Sequence, residues 1–277
     1  MFSFPTRTRA RSLSGKGIRM SRITDHTTGR TLIVPMDHSV TVGPLGDADH
    51  ADTMVRALAE AGANAVVLHR GRARHVDPSS FSRMGLIVHL SAGTTRSMDL
   101  HAKVLVSGVD DALRIGADAV SVHVNIGSPT EREQLADLGA VSRECEALGA
   151  PLLVMMYARG PLRADLPPDP RELAHLAAIA TDLGADLVKL DYSGDPQSMR
   201  RVVESCPIPI CVAGGPSADH TDADEHAVAL GSEILASGVA GLSFGRNVFE
   251  ARDPYAVAST LARLVHSPAA AVELESA

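Results

Sequence analysis

Aromatic residues are scarce in this 277-residue sequence, which contains no tryptophan, three tyrosines and five phenylalanines. The apolar residues, 45% of the chain, are therefore mostly alanine, valine, leucine and isoleucine, which suit buried strands covered by alanine-rich helices. No apolar run reaches the roughly 18 residues that a membrane span needs. The basic N-terminal segment lacks an apolar core of signal-peptide length. The sequence thus predicts no membrane association.

Cysteine and positive charge are also limited. Three cysteines are too few for a disulfide framework, and none forms a CxxC pair, so a reduced cytoplasmic protein is expected. The formal net charge is −7, and a chain without a basic excess is not expected to bind nucleic acid.

One short pattern recurs along the chain: the end of an alanine-rich helix, a glycine, a small residue and an apolar strand. It occurs as EAGANAVVLH (60–69), RIGADAVSVH (114–123), DLGADLVKLD (182–191), ASGVAGLSFG (236–245) and, with a proline, EALGAPLLVMMY (146–157). Glycine ends the helix in a left-handed conformation, and a buried parallel strand follows at once. Repeated αβ units of this kind predict a parallel sheet with right-handed crossovers.

Eight strands can be placed, and no GxGxxG turn follows any of them. The predicted strands are 31–36, 65–68, 86–90, 119–123, 151–156, 186–190, 208–212 and 240–243. The predicted helices include 50–61, 129–148, 170–183, 222–237 and 254–266, with Asp49, Ser128, Asp169 and Asp253 as N-caps. These features favour a closed (β/α)₈ TIM barrel of the α/β class over a doubly wound sheet.

The remaining segments are predicted less sharply. Residues 70–85 are expected to form a long loop, and 91–109 have only a weak helical signal. Because no linker or composition shift divides the chain, a single domain is expected. Residues from about 1 to 25 would be an N-terminal extension and about 268–277 a flexible tail.

Lys189 is the most informative single residue because it lies inside an apolar strand. Side chains alternate along a strand, so Leu187 and Lys189 share one face while Val188 and Leu190 take the other and pack on the helices. Burial disfavours the charged ammonium and favours the neutral amine, which can attack a carbonyl group. The alternative is an ion pair with a carboxylate that serves packing alone; Asp191 and Asp37 are the candidates.

Two glycine motifs follow the last two strands, where many TIM barrels bind phosphate. Gly214 and Gly215 follow the seventh strand, and Gly245 and Arg246 follow the eighth. Glycine lets backbone N–H groups approach an oxyanion closely, and arginine adds a charge-assisted contact. These residues predict a phosphate site, although tight turns alone would also require glycine.

Proton carriers and histidines also lie near the predicted strand ends. Asp37 and Tyr157 are candidate acid–base groups; their alternative roles are a salt bridge to Lys189 and a hydrogen bond at the rim. Four histidines could instead hold Zn²⁺, as in a metal-dependent hydrolase or aldolase: His38, His69, His89 and His123. No HxH pair occurs on the first strand and no acidic residue clearly completes a ligand set, so neither a metal nor a cofactor is expected. A non-catalytic sugar-phosphate-binding barrel is a third possibility.

Eight segments in order make the chain recognisable. They are LIVPMDHSVTVGP (32–44), GANAVVLHRG (62–71), GLIVHLSAGT (85–94), GADAVSVHVNIGS (116–128), PLLVMMYARG (151–160), GADLVKLDYSGD (184–195), VAGGP (212–216) and GLSFGRNVF (241–249). Together they resemble class I aldolases of the DeoC/FbaB type, which include archaeal fructose-bisphosphate aldolase. The resemblance runs from about Gly15 to about His266.

The resemblance implies a role for individual residues. Lys189 would form the Schiff base, Asp37 would be the general base and Tyr157 the proton donor. The family's phosphate-binding positions fall on Gly214, Gly215, Gly245 and Arg246. Further substrate contacts are predicted at His38, Ser39, Arg159 and Asp191, although Ser39 stands where many members have glycine.

The activity implied is that of a Schiff-base aldolase or transaldolase-like synthase. It would join a three-carbon enamine, derived from a ketose phosphate or dihydroxyacetone phosphate, to an aldehyde such as L-aspartate 4-semialdehyde. A fructose-bisphosphate-type aldolase is the alternative. The partners are then a small sugar phosphate and an aldehyde, whose carboxylate Arg70, Arg72 or Arg159 would hold. The resemblance also implies a homo-oligomer, a decamer in many relatives.

Overall fold

The computed structural model describes residues 15–161, 168–216 and 222–267. Eight parallel strands close into a barrel: β1 (Thr31–Pro35), β2 (Ala65–His69), β3 (Gly85–His89), β4 (Ala119–Ile126), β5 (Leu152–Ala158), β6 (Leu187–Leu190), β7 (Ile210–Ala213) and β8 (Gly241–Ser243). Each strand pairs with its neighbours along the chain, and β1 closes the barrel against β8 with Thr31 opposite Gly241. The TIM-barrel prediction is confirmed, and the strand ends differ from those predicted by at most three residues.

Helices lie between the strands on the outside of the barrel. The longer ones are His50–Ala61, Val109–Arg114, Glu131–Leu148, Pro170–Asp182, Pro196–Ser205, Ala223–Leu235 and Pro254–His266. Short helical turns span Ser39–Val42, Arg70–Ala73, Pro78–Ser82 and Arg246–Phe249. Within the described ranges, none of the helices combines the length and apolar character needed to cross a bilayer.

Two of the four predicted N-caps form the expected hydrogen bond. The Asp169 side chain accepts from Arg171 N, and the Asp253 side chain accepts from Ala256 N. Asp49 stands at the N-cap but makes no side-chain capping bond. The prediction for Ser128 was wrong, because that helix begins at Glu131 and Ser128 instead joins a hydroxyl and amide network before it.

The segments 70–85 and 91–109, which were predicted less sharply, contain regular structure. The segment 70–85 is not one long loop, since it contains the turns Arg70–Ala73 and Pro78–Ser82. Residues 91–108 contain no helix, in keeping with their weak helical signal, and include an antiparallel ribbon of Ser91–Ala92 with Val104–Leu105. This ribbon extends from the carboxyl end of β3 and carries its connecting turn to the mouth of the barrel.

The barrel has an inner and an outer apolar layer. The inner layer consists of Ile23, Ile33, Ala65, Val67, Ile87, Ala119, Leu153, Met155, Tyr157, Leu187 and Cys211. Val188 and Leu190 belong instead to the outer layer between strands and helices. The predicted alternation along β6 is therefore confirmed, and Lys189 lies on the inner side with Leu187.

A short helix, Gly15–Ile23, closes the amino end of the barrel. Its last residue, Ile23, is fully buried among the inner-layer side chains, and Met20 packs against them. Arg22 pairs with Asp118, and Lys16 Nζ lies 3.0 Å from Asp186 Oδ2. Part of the predicted N-terminal extension is thus integral to the barrel, whereas residues 1–14 and the predicted tail at 268–277 lie outside the described residues.

Candidate active site

The carboxyl ends of the strands surround a cavity of about 300 Å³. It brings together most of the predicted site residues: Lys189, Asp37, Tyr157, His38, Arg159, Asp191, Gly214, Gly215, Gly245 and Arg246. Ser39 is the exception. It lines a separate, much smaller cavity together with residues such as Arg72, so it is not among the residues that line the main cavity.

Lys189 projects from β6 into the floor of this cavity and is only 7% exposed. On either side it is opposite Met155 of β5 and Cys211 of β7 in the strand register. It forms no ion pair with Asp37 or Asp191, and no hydrogen bond of its amine occurs within the described chain. The amine is therefore buried without the carboxylate partner that a purely structural lysine would be expected to have.

Asp37 lies at the end of β1 between two histidines. Its Oδ1 is 3.7 Å from His38 Nδ1, and its Oδ2 is 3.7 Å from His89 Nε2. Burial raises the pKa of Asp37, but the positive charges that His89, His38 and Lys189 carry at the acid pH where Asp37 titrates outweigh burial and hold that pKa well below its usual range. Oδ1 is buried without a hydrogen-bond partner in the described chain. This carboxylate is ionised and has an acceptor atom available for a proton.

The mouth histidines are held by hydrogen bonds inside the protein. His89 Nδ1 is 2.8 Å from Ser121 Oγ, and burial lowers the pKa of His89 to about 4 although Asp37 opposes this. His123 Nε2 is 2.9 Å from Asn125 Oδ1, and burial lowers the pKa of His123 well below its usual value. Both rings are therefore neutral near pH 7. Among the described residues, no three His, Cys, Asp or Glu side chains are grouped to hold a metal ion.

Tyr157 and Arg159 extend from β5 on one side of Lys189. Tyr157 is buried in the inner layer, and the Arg159 guanidinium lies 4.1 Å from its ring centre in a cation–π contact. Arg159 forms no ion pair in the described chain. Asp191, two residues beyond Lys189, is half-buried, and this burial raises its pKa against the opposing charges of Arg159 and Lys189.

The glycine motifs lie on the other side of Lys189, after β7 and β8. A Cβ at Gly214 would lie 2.1 Å from Asn247 Oδ1, and one at Gly245 would lie 2.8 Å from the Pro35 carbonyl oxygen. Gly215 has φ +71°, a conformation that favours glycine. The N–H groups of these three glycines donate no hydrogen bond within the described chain. Tight turns explain the glycines, and their N–H groups remain available to bind an oxyanion.

Two of the predicted carboxylate-binding arginines are positioned elsewhere. Arg70 Nη1 forms an ion pair with Asp111 Oδ2 at 2.8 Å, and Arg70 does not line the main cavity. Arg72 lines the small cavity that contains Ser39. Arg70 and Arg72 therefore do not line the main cavity, and of the three arginines Arg159 alone lines it.

Sequence reasoning missed several lining residues, above all Lys103 in the ribbon turn after β3. His101, Asn125 and the buried hydroxyl of Ser243 line the same cavity. A signal for Lys103 was present, because the chain has only three lysines, at positions 16, 103 and 189. Its location could not be read from local pattern, since it depends on how the ribbon folds over the mouth.

The comparisons with known proteins agree with this geometry. A model of the DeoC/LacD family of aldolases matches residues 31–251. The chain therefore belongs to the DeoC/LacD aldolase family and is an enzyme of the class I aldolase kind.

Individual relatives and solved structures resemble this chain over most of its length. The chain is 48% identical over 253 residues to 2-amino-4,5-dihydroxy-6-oxo-7-(phosphonooxy)heptanoate synthase of Streptomyces griseus, covering 91% of this chain and 90% of the relative. It is 40% identical to 2-amino-3,7-dideoxy-D-threo-hept-6-ulosonate synthase 1 of Archaeoglobus fulgidus, covering 91% of each. Among solved structures, a Schiff-base-forming fructose-1,6-bisphosphate aldolase superposes with a TM-score of 0.79 at 29% identity, covering 90% of this chain and 99% of that one.

Proposed function

We propose that Lys189 forms a Schiff base with the ketone of dihydroxyacetone phosphate and that the resulting enamine is joined to L-aspartate 4-semialdehyde. The observation that carries this is the buried Lys189 amine, which has no carboxylate partner and faces a cavity shared with Asp37 and Tyr157. An amine so placed is suited to nucleophilic attack on a carbonyl group.

The substrate pair follows from the chemistry in the Streptomyces griseus relative's name. Its product has an amino group on C2, hydroxyls on C4 and C5, a ketone on C6 and a phosphate on C7. Breaking the C4–C5 bond by a reverse aldol step gives dihydroxyacetone phosphate and aspartate 4-semialdehyde. The 48% identity over most of both chains supports the same pair here.

The phosphate of the donor would bind beside β7 and β8. Three free glycine N–H groups lie there, and Arg246, which has no ion pair in the described chain, adds a positive charge. A donor anchored by its phosphate would present its ketone carbon to Lys189 on β6. This arrangement suits a donor that retains its phosphate throughout the reaction. The product named for the S. griseus relative carries such a phosphonooxy group.

The reaction then needs two proton transfers. The Lys189 amine adds to the ketone and water leaves, which gives an iminium ion that acts as an electron sink. Asp37, ionised and with a free oxygen, takes the proton from the neighbouring carbon to form the enamine. The enamine carbon attacks the aldehyde, Tyr157 donates a proton to the new alkoxide, and hydrolysis of the imine frees Lys189.

A fructose-bisphosphate-type cleavage is the second candidate, favoured by the structural similarity to Schiff-base fructose-1,6-bisphosphate aldolases. Both candidates use the same donor imine and differ in the aldehyde. The acceptor therefore decides between them.

The test compares acceptors and donors in one assay. With dihydroxyacetone phosphate we expect turnover with aspartate 4-semialdehyde to give a seven-carbon amino acid phosphate by mass, and EDTA to have no effect. We expect fructose 1,6-bisphosphate and 6-deoxy-5-ketofructose 1-phosphate to be much poorer donors. Efficient cleavage of fructose 1,6-bisphosphate without use of the semialdehyde would favour the second candidate.

Borohydride reduction in the presence of donor tests the covalent step. The chain offers three lysines, so peptide mapping has three possible outcomes. We expect the reduced adduct at Lys189 alone and none in Lys189→Met, while Lys16→Met serves as the matched control that still forms it. An adduct at Lys103, or none in the wild type, would contradict the proposed mechanism.

A further inference from the structure

Two cations on the β3–β5 side of the cavity lack partners. Lys103 and Arg159 both line the cavity, and neither forms an ion pair or a side-chain hydrogen bond within the described chain. Arg159 makes a cation–π contact with the face of Tyr157, and its charge acts on the carboxyl group of Asp191. Two of the three lysines of this chain thus lie in one cavity, whereas the other, Lys16, pairs with Asp186 at the opposite end of the barrel.

The ribbon turn that carries Lys103 is anchored at His101, two residues before it. The carbonyl oxygen of His101 accepts hydrogen bonds from Asn125 Nδ2 at 2.8 Å and Gln134 Nε2 at 3.0 Å. A Cβ at Gly93 would lie 3.0 Å from Lys103 Nζ, so the glycine provides the space in which the amine rests. The backbone that carries Lys103 is therefore fixed before any ligand binds, and the side chain lines the cavity, which lowers the entropy cost of binding.

The two cations also repel each other. Burial lowers the pKa of Lys103, and the charge of Arg159 lowers it further. Asp37 opposes this, but it already lies close to His38 and His89, and Asp191, the carboxyl group on which Arg159 acts, has a pKa raised by burial. Like charges held together in a partly buried site are unfavourable unless an anion binds between them, so the pair indicates a ligand of opposite charge.

The order of strands places this pair opposite the phosphate side. Around the barrel, β6 with Lys189 has β7 and β8 on one side and β5 and β3 on the other. The glycines and Arg246 follow β7 and β8, whereas Arg159 follows β5 and Lys103 follows β3. We propose that Lys103 and Arg159 form a second anion subsite, which binds the carboxylate of a short acceptor aldehyde while the donor phosphate occupies the other side. This rests on the proposed function and names the group that selects its acceptor.

The test uses three four-carbon aldehydes with the donor dihydroxyacetone phosphate: aspartate 4-semialdehyde, succinate semialdehyde, which lacks the amine, and butanal, which lacks the carboxylate too. In Lys103→Met we expect kcat/KM to fall about 10- to 100-fold for both carboxylate-bearing aldehydes, the size of a lost charge-assisted hydrogen bond. The value for butanal should change less than about threefold. Lys103→Arg, which keeps the charge, should recover most of the loss.

The matched control is Arg96→Met, which removes a cation from the same turn at an exposed position that does not line the cavity. It should leave all three kcat/KM values unchanged. An equal loss with butanal in Lys103→Met would show a structural role, and no loss with any aldehyde would show that Lys103 does not bind the acceptor. Either result overturns the proposal.

Binding measured without turnover separates this proposal from the proposed reaction. Succinate has the carboxylate but no aldehyde, so calorimetry with succinate does not depend on the aldol step. We expect its Kd to rise at least about tenfold in Lys103→Met relative to wild type and Arg96→Met. If no aldehyde is turned over, the synthase assignment fails, while the succinate titration still decides the subsite: an unchanged Kd, or no binding to the wild type, overturns it.

Discussion

The two ends of the barrel differ in whether the polar side chains at the strand ends have partners within the protein. At the amino end, Asp118 accepts a hydrogen bond from Leu86 N and pairs with Arg22. Asp186 likewise accepts from Leu152 N at 2.9 Å and pairs with Lys16 at 3.0 Å. At the carboxyl end, buried polar atoms have no partner in the described chain; they are Asp37 Oδ1, His38 Nδ1, Ser243 Oγ and Asn247 Oδ1.

The difference separates stability from function. A buried polar atom without a partner costs about 1–3 kcal/mol, so a protein retains one only where another requirement outweighs the cost. At the amino end the carboxylates of Asp118 and Asp186 are satisfied by strand N–H groups and basic side chains, which stabilises the strand ends. His266 Nδ1, near Asp25, is the exception there, since it is buried without a partner in the described chain. The carboxyl end leaves donors, acceptors and cations unpaired around one cavity, which is expected where a charged substrate supplies the partners.

The largest effect that would test this comparison is that of Lys189→Met. Activity should fall about 1,000-fold or more, because the covalent intermediate cannot form. The free energy of unfolding should change little, since the buried amine has no hydrogen bond or ion pair in the described chain and only its longer-range attraction to Asp37 is lost. Urea unfolding and kcat/KM measure the two effects. A clear loss of stability would mean that Lys189 has a structural partner and would weaken the contrast between the two ends.

Acid sensitivity should come from the carboxyl end. Burial lowers the pKa of His89 to about 4, whereas an unfolded histidine has a pKa of about 6.5. Between these pH values the unfolded chain binds more protons, so the free energy of unfolding decreases as the pH falls, by on the order of 3 kcal/mol in total. Asp37, with its lowered pKa, adds a further loss only below about pH 4.

The measurement is the free energy of unfolding by urea between pH 7 and pH 4.5 for the wild type and His89→Asn. The variant should be less stable at pH 7 but should show a shallower decrease with acid. Parallel pH profiles for the two proteins would show that His89 does not control the acid response.

At the amino end, Asp118→Ala should lower the free energy of unfolding by about 2–3 kcal/mol. It leaves the Leu86 N–H unpaired in a buried strand end and removes the ion pair with Arg22. The conservative variant Asp118→Asn keeps an acceptor for Leu86 N and should lose less. Because this end is far from the cavity, kcat and KM should change less than about twofold, and a strong loss of activity at unchanged stability would contradict the division between the ends.

The features predicted well from sequence are those fixed by local chemistry. Period-two alternation placed Lys189 inside the barrel, and each repeated glycine ends a helix with positive φ, for example Gly62 at 90° and Gly184 at 89°. The repeat also contains a feature that was not interpreted from sequence: Asn64, Asp118 and Asp186 each accept from the N–H of a neighbouring strand.

The features predicted poorly depend on contacts distant in sequence. Arg70 looked available at a strand end, but its partner Asp111 lies on a later helix. The ribbon at 91–105 is too short to have a period, and its position depends on Asn125 and Gln134 binding the carbonyl of His101. Without the ribbon, no local pattern places Lys103 at the mouth.

Lys16→Met, the same substitution as Lys189→Met but at the amino end of the barrel, is expected to have the smallest effect. Lys16→Met removes a lysine that lies 3.0 Å from both Asp186 Oδ2 and Glu146 Oε2, with the Glu146 side chain 80% exposed. Exposed pairs contribute little, so the free energy of unfolding should fall by less than about 1 kcal/mol, mostly through Asp186. Activity and borohydride trapping should be unchanged. If Lys16→Met impaired catalysis, or if Lys16→Met and Lys189→Met changed stability by the same amount, then the presence or absence of a partner would not distinguish a structural lysine from a reactive one in this barrel.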